Sequence, residues 1–210
     1  MMKTAPYEYY HVFNRAVSKQ TIFHDRADYL RFLFLVLYFQ SPEKIQNISR
    51  AMLDFVQHPV LNIAAEIINK RNVELISFCI MPNHFHLLVK DVGENSLSSY
   101  MQRVLNAYSK YYNIRYQKSG HVFQGPYKIV HVDSDEQLKY LSAYIHRNPR
   151  ELPQWKDKYE SYPWSSYLDT IGNNRWGDLV VPKILLEDGA SEYQNFVRTS
   201  PAKLGEFEIV

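Results

Sequence analysis

Two imidazoles stand two residues apart in the run Cys79-Ile80-Met81-Pro82-Asn83-His84-Phe85-His86-Leu87-Leu88-Val89. On a β-strand, side chains at i and i+2 share a face, so His84 and His86 point the same way. Phe85, Leu87, Leu88 and Val89 supply the apolar filling of a buried strand. That leaves two nitrogen donors side by side on a rigid surface, an arrangement suited to a divalent metal. The same pair also fits two hydrogen-bonded histidines near a sheet end, so other residues must decide.

A helix offers an independent test, because residues at i and i+4 share a face. Of the seventeen tyrosines, two are followed four residues later by an amide: Tyr10 by Asn14, and Tyr144 by Asn148. Tyr10 falls in a predicted strand, where that spacing carries no such meaning, whereas Tyr144 and Asn148 fall at the end of a predicted helix and project side by side. The Asn148 amide oxygen can then reach an ion held by the histidines while the Tyr144 phenol stands near a bound substrate. Tyr108 and Tyr112 lack such an amide and read as packing or base-stacking residues. His11 and His131 lie on predicted strands, where a structural role is the commoner one. His24, His58, His121 and His146 fall near loops or helix surfaces, where exposure is expected. His146 lies some 200° around the helix from Tyr144 and is not assigned as its base.

The elements that must position these groups follow from periodicity. Tyr9 to Val17 reads as a first strand. Asp25 caps a helix running to about Gln40, before Ser41-Pro42. An excursion follows from Glu43 to His58, and helical spacing resumes from Val60 to Arg71. Val73–Ile80 and Asn83–Lys90 form a tight antiparallel pair around Met81-Pro82. Leu97, Met101, Val104, Leu105, Tyr108 and Tyr112 mark a long helix ending near Gly120, which suits its C-terminal cap. Tyr127–Val132 is a strand, and Asp133 or Ser134 caps a helix ending near Asn148, before Pro149. The order β, α, β, β, α, β, α predicts an α+β, ferredoxin-like (RRM-like) antiparallel sheet covered by helices on one side. Residues 1–155 are expected to form the main domain and 156–210 a small C-terminal extension.

A chain of 210 residues with 46% hydrophobic composition buries a substantial core. Its net charge is only +2, but the distribution is uneven. No Asp or Glu occurs from Leu97 to His131, where Arg103, Lys110, Arg115, Lys118 and Lys128 interleave with tyrosines. That pattern fits phosphate neutralisation with base stacking. A tyrosine-rich core helix with a solvated basic edge fits it too. Cys79 is the sole cysteine, which excludes an intrachain disulfide and a CxxC site and points to a reducing compartment. The most apolar window, Tyr29 to Phe39, is about half of what a bilayer requires. A cytoplasmic protein without a membrane partner is expected.

Taken in order, "MPNHFHLLV", the basic-aromatic helix, "GHVFQGPYK" at Gly120–Lys128 and "AYIHRNPR" at Ala143–Arg150 resemble the single-tyrosine HUH transposases, including the REP-associated tyrosine transposases. The resemblance covers about Tyr9 to Arg150 and continues weakly through "YPWSSY"; the excursion and the C-terminal extension depart from it. It implies a metal-dependent single-strand DNA endonuclease and strand transferase. In that family a helical tyrosine is the nucleophile and an amide four residues on is a metal ligand, which carries onto Tyr144 and Asn148 beside His84 and His86. A 5′-phosphotyrosine intermediate, Mg²⁺ or Mn²⁺ as cofactor, and single-stranded or hairpin DNA as partner follow, and a homodimer is compatible. The alternative from another class is a non-catalytic single-stranded nucleic-acid-binding module of RRM-like topology, which needs neither HxH nor Tyr-x-x-x-Asn.

Overall fold

The computed structural model describes residues 4–43, 48–57 and 64–201. Four strands, β1 (Tyr9–Arg15), β2 (Val73–Met81), β3 (His84–Asp91) and β4 (Lys128–Val132), form one antiparallel sheet in the order β2-β3-β1-β4. This is the ferredoxin-like order, with β1 and β3 central. The two-residue turn at Pro82-Asn83 closes the β2–β3 pair, as the spacing predicts. Pro82 sits where no ladder donor is required, and its carbonyl accepts from the Ile22 and Phe23 amides at 2.9 and 3.1 Å.

Helix α1 (Arg26–Tyr38) starts at Asp25, whose carboxylate accepts from the Ala27 and Asp28 amides. It is buried along most of its length, which accounts for the apolar window at Tyr29–Phe39 without any membrane. Among the described residues no helix is long and apolar enough to cross a bilayer. Helix α2 (Ile48–Gln57) falls in the excursion, and α3 (Ala64–Lys70) in the helical stretch after it. His58 and residues 60–63 of the expected helix lie outside the described residues.

Helix α4 (Ser96–Arg115) stops four residues short of the expected boundary. Gln117 adopts φ 50°, and the Lys118 amide donates back to the Asn113 carbonyl at 2.9 Å. This is a left-handed helix end carried by glutamine in place of the predicted glycine. Gly120 lies beyond it. Helix α5 (Asp135–Arg147) begins at Ser134, whose hydroxyl accepts from the Gln137 amide.

The expectation of helices on one face of the sheet is corrected by the structure. Helices α1 and α4 cover the face bearing Val12, Phe85, Leu87 and Val89. Helix α5, with α6 (Tyr167–Ile171) and α7 (Ala190–Thr199), covers the face bearing Cys79, Met81, Leu88 and Val132. The physical reason is visible in β2, which is apolar on both faces and therefore needs cover on both. Chain from the C-terminal part also occupies the outer edge of β2. The Ile80 amide donates to the Trp164 carbonyl at 2.9 Å and the Val181 amide to the Leu75 carbonyl at 2.8 Å, so that edge offers no open ladder.

Candidate active site

His84 and His86 lie on β3 with their side chains on the α5 face, while Phe85 between them packs against Phe32 at 4.8 Å between ring centres in the opposite core. The register sets Arg15 and Met81 opposite His84, and Phe13 and Cys79 opposite His86. Helix α5 crosses this face and ends at Asn148, which keeps helical dihedrals (φ −53°, ψ −35°). The i, i+4 relation therefore holds to the last residue: Tyr144 and Asn148 both turn toward the histidines.

The contacts are specific. His84 Nε2 and Asn148 Oδ1 are 3.0 Å apart. The Tyr144 ring stands edge-on to His86, with centres 5.4 Å apart at 88°. His84, His86, Tyr144 and Asn148 are all buried. Burial, then the nearby Arg15 charge, holds His84 down to about 4, and burial, then His11, holds His86 well below its ordinary value. Both imidazoles are neutral near pH 7, the form that can ligate a metal.

Whether these residues fit an ion is decided by their lone pairs. Asn83 donates its amide to the Lys19 carbonyl at 3.0 Å, which leaves its oxygen to accept from His84 Nδ1–H at 2.7 Å. His84 Nε2 is therefore a lone pair, and it faces the Asn148 oxygen. Asn148 Nδ2 is meanwhile buried without a hydrogen-bond partner. Two arrangements resolve this opposition: the amide turns over and donates to Nε2, or a cation lies between two acceptors. Donors bound at about 2.1 Å and a right angle to one ion are about 3.0 Å apart, so the spacing accommodates the second as well as the first. Among the described residues no group of three or more His, Cys, Asp or Glu is placed to hold a metal; the set depends on the amide.

Three neighbours were given no part in the site by the sequence. His11 on β1 places Nε2 2.9 Å from His86 Nδ1. If His86 donates there, its Nε2 becomes the ligand and His11 the acceptor that fixes the tautomer. Burial pushes His11 down to about 3. Arg15 and Gln124 join Asn14, Pro126 and Lys128 around a cleft of about 270 Å³ whose floor is His84 and His86. The i, i+2 pattern His11-Phe13-Arg15 was available, but nothing in the sequence aligned β1 with β3.

Of the five cations in the basic-aromatic segment, the structure brings Lys128 alone to the cleft. Arg115 pairs with Asp25 and Asp28 at 2.6 and 2.7 Å. Arg103 donates to the Ser41 carbonyl at 2.8 Å and lies over the Phe39 ring. Lys118 reaches the Tyr112 hydroxyl at 3.2 Å, and Lys110 is exposed. His146, expected near the surface, is fully buried, because the C-terminal helices cover that side of α5.

With that geometry in place, a family model for IS200-like transposases matches residues 46–148, a span that includes His84, His86, Tyr144 and Asn148. Over that span, just under half of the chain, the sequence is similar to the single-tyrosine, IS200-like transposases. A solved structure of a REP-associated tyrosine transposase bound to a REP hairpin shares its fold, with a TM-score of 0.52 at 12% identity over 84% of this chain and 88% of that one. No curated protein matches the sequence. That likeness supports a transposase-like, DNA-processing protein in general terms.

Proposed function

We propose that this transposase-like protein is a metal-dependent single-strand DNA endonuclease and strand transferase, with Tyr144 as nucleophile. His84, His86 and Asn148 hold one Mg²⁺ or Mn²⁺. The observation that carries the reading is the 3.0 Å approach of His84 Nε2 to Asn148 Oδ1 with the Tyr144 ring against His86. When bound, the ion withdraws charge from a scissile phosphate and orients it.

The chain's own residues supply the rest. His11 orients His86, and Asn83 orients His84. Arg15 and Lys128 flank the cleft and neutralise the phosphodiester entering it. Lys110 on α4 and Lys118 just beyond it are left for outer contacts with the strand, away from the cleft, whereas Arg103 and Arg115 contribute through the fold that they hold. Tyr144 is buried and not part of the cleft wall, so its phenol must come forward from behind His86 to react. Its oxygen then forms a bond to phosphorus as the P–O3′ bond breaks. The phenol proton is lost, the 3′-oxygen gains one, and the bond energy is kept in a 5′-phosphotyrosine that another 3′-hydroxyl can reverse.

The test is incubation of a labelled single-stranded oligonucleotide bearing a hairpin with protein and Mn²⁺, followed by denaturing electrophoresis. A protein-linked band that is absent with chelator and absent in Tyr144→Phe is expected. A wild type that binds the oligonucleotide but forms no adduct on any hairpin overturns the nuclease reading in favour of a binding module.

A further inference from the structure

Helix α5 is held on two sides. One side carries Tyr144 and Asn148 toward the histidine pair; about 200° around the helix, His146 points into the C-terminal segment. There, every hydrogen has one consistent direction. The Phe78 amide of β2 donates to Ser166 Oγ at 2.8 Å. Ser166 Oγ lies 2.9 Å from His146 Nε2, and 3.3 Å from the Phe78 carbonyl, an oxygen that already accepts from the Ser166 amide. Of its two possible acceptors the imidazole nitrogen is the nearer, and Ser166 donates to it when His146 carries its proton on Nδ1. His146 Nδ1 lies 2.9 Å from the Tyr193 hydroxyl of α7. Tyr193 donates onward to Ser142 Oγ at 2.8 Å, and Ser142 donates to the Lys139 carbonyl at 2.7 Å. Tyr193 must thus accept from His146 Nδ1–H, and one neutral tautomer satisfies the whole chain.

We propose that His146 is a positioning residue for Tyr144: through Ser166 and Tyr193 it clamps the C-terminal turn of α5 to β2 and to the C-terminal helices, making that segment part of the catalytic apparatus. The inference rests on the reading of Tyr144 as nucleophile. Phe78 lies beside Leu87 in the β2–β3 register, next to the strand that carries the two histidines. The clamp therefore references the nucleophile helix to the frame of the proposed metal ligands. His146, Ser142 and Ser166 are buried without exposure and Tyr193 likewise, so water does not replace a missing member.

The experiment uses full-length protein labelled with 3-fluorotyrosine, the Tyr144 line being assigned by its loss in Tyr144→Phe. His146→Ala and Tyr193→Phe are expected to shift or split that line. They are also expected to slow adduct formation at saturating hairpin on the order of 10-fold to 100-fold, with oligonucleotide affinity unchanged. Tyr162→Phe removes a buried hydroxyl outside the chain, one that donates to the Ile80 carbonyl at 2.9 Å, and should leave the Tyr144 line in place. If His146→Ala does not fold, Tyr193→Phe decides. An unmoved Tyr144 line in the folded variants, or an equal disturbance from Tyr162→Phe, overturns the clamp. A wild type without adduct overturns the nuclease reading instead, while the fluorine lines still decide whether His146 places Tyr144.

Discussion

The two faces of the sheet both carry tyrosines, histidines and charges, yet they use them differently. On the face under α1 and α4, hydroxyls end on structural partners: Tyr100 donates to the Val36 carbonyl, Tyr108 to the Ile22 carbonyl, and Tyr111 and Tyr116 to Asp28. On the face under α5, neutral imidazoles and an amide oxygen converge, and two acceptors meet at 3.0 Å. The basic-aromatic helix is denser in reactive types, but the proposed chemistry sits opposite it. What separates the faces is whether polar groups are closed on one another or left aimed at a common point.

The largest effect that tests this contrast is Tyr144→Phe against Tyr108→Phe. The first removes one oxygen with little packing volume, so fold and oligonucleotide affinity should survive while the adduct falls below detection. The second strips a fully buried acceptor, the Ile22 carbonyl, of its donor. It should cost about 1–3 kcal/mol of stability in a denaturant melt and leave adduct formation. If the two variants exchange phenotypes, the faces have been assigned the wrong way round.

Next in size is metal affinity. His84→Ala and Asn148→Ala should each abolish Mn²⁺ binding measured by calorimetry, whereas His11→Ala should weaken it on the order of 10-fold to 100-fold by releasing the His86 tautomer. Equal losses from all three would make His11 a ligand itself and not an orienting partner.

The same contrast governs acid stability. Burial holds His11 and His146 down to about 3 and His84 to about 4. The unfolded chain takes up protons near pH 6.5 that the folded one refuses, so stability falls as pH drops below that value. Each of these residues should remove about 1.4 kcal/mol per pH unit, or about 2 kcal/mol by pH 5. Denaturant midpoints at pH 7 and pH 5 measure it; a flat profile would mean that these imidazoles are not buried neutral.

How much of this was legible depends on which interactions are local. The strands, the helix caps at Asp25 and Ser134, and the i, i+4 pair Tyr144–Asn148 are set within a few residues, and they stand where periodicity puts them. His11, Arg15 and His146 join their partners across 75, 69 and 20 residues of sequence, and no local rule supplies a register or the path of the C-terminal segment. The double cover of the sheet was readable in principle. Ile76, Cys79 and Met81 are apolar on the face opposite Leu75, Phe78 and Ile80, and a strand apolar on both faces must be buried on both. The partners of Arg115 were hidden because composition carries no partner information: Asp25 and Asp28, which bind it, lie 87 to 90 residues away.

Those cations allow a smaller, sharper test. Arg15→Ala with Lys128→Ala should weaken single-strand binding and lower the slope of log affinity against log salt by about one for each phosphate no longer neutralised. Arg115→Ala should leave that slope alone and lower stability, because Asp28 is fully buried and loses its cation. A reduced slope in Arg115→Ala with unchanged stability would return the DNA path to α4.

The smallest effect comes from a histidine placed to behave in the opposite sense. His131 on β4 has its ring 5.3 Å from Tyr10, on the face away from the histidine pair. It contacts Glu8 at 2.9 Å and Asp133 at 2.6 Å. The hydrogen bond to Glu8, then that to Asp133, raises it above its ordinary value. A group raised in the folded state contributes stability that is complete below the unfolded value near 6.5 and is lost as pH rises through the folded one. Its side chain is 37% exposed, so solvent and salt screen the pair and the contribution stays within about 0.5 kcal/mol. His131→Gln should therefore lower the thermal midpoint slightly at pH 6 in low salt, and neither at pH 8.5 nor in high salt. A variant that instead loses stability equally at both pH values would show His131 to be a packing residue, and the opposed signs of the two faces would not hold.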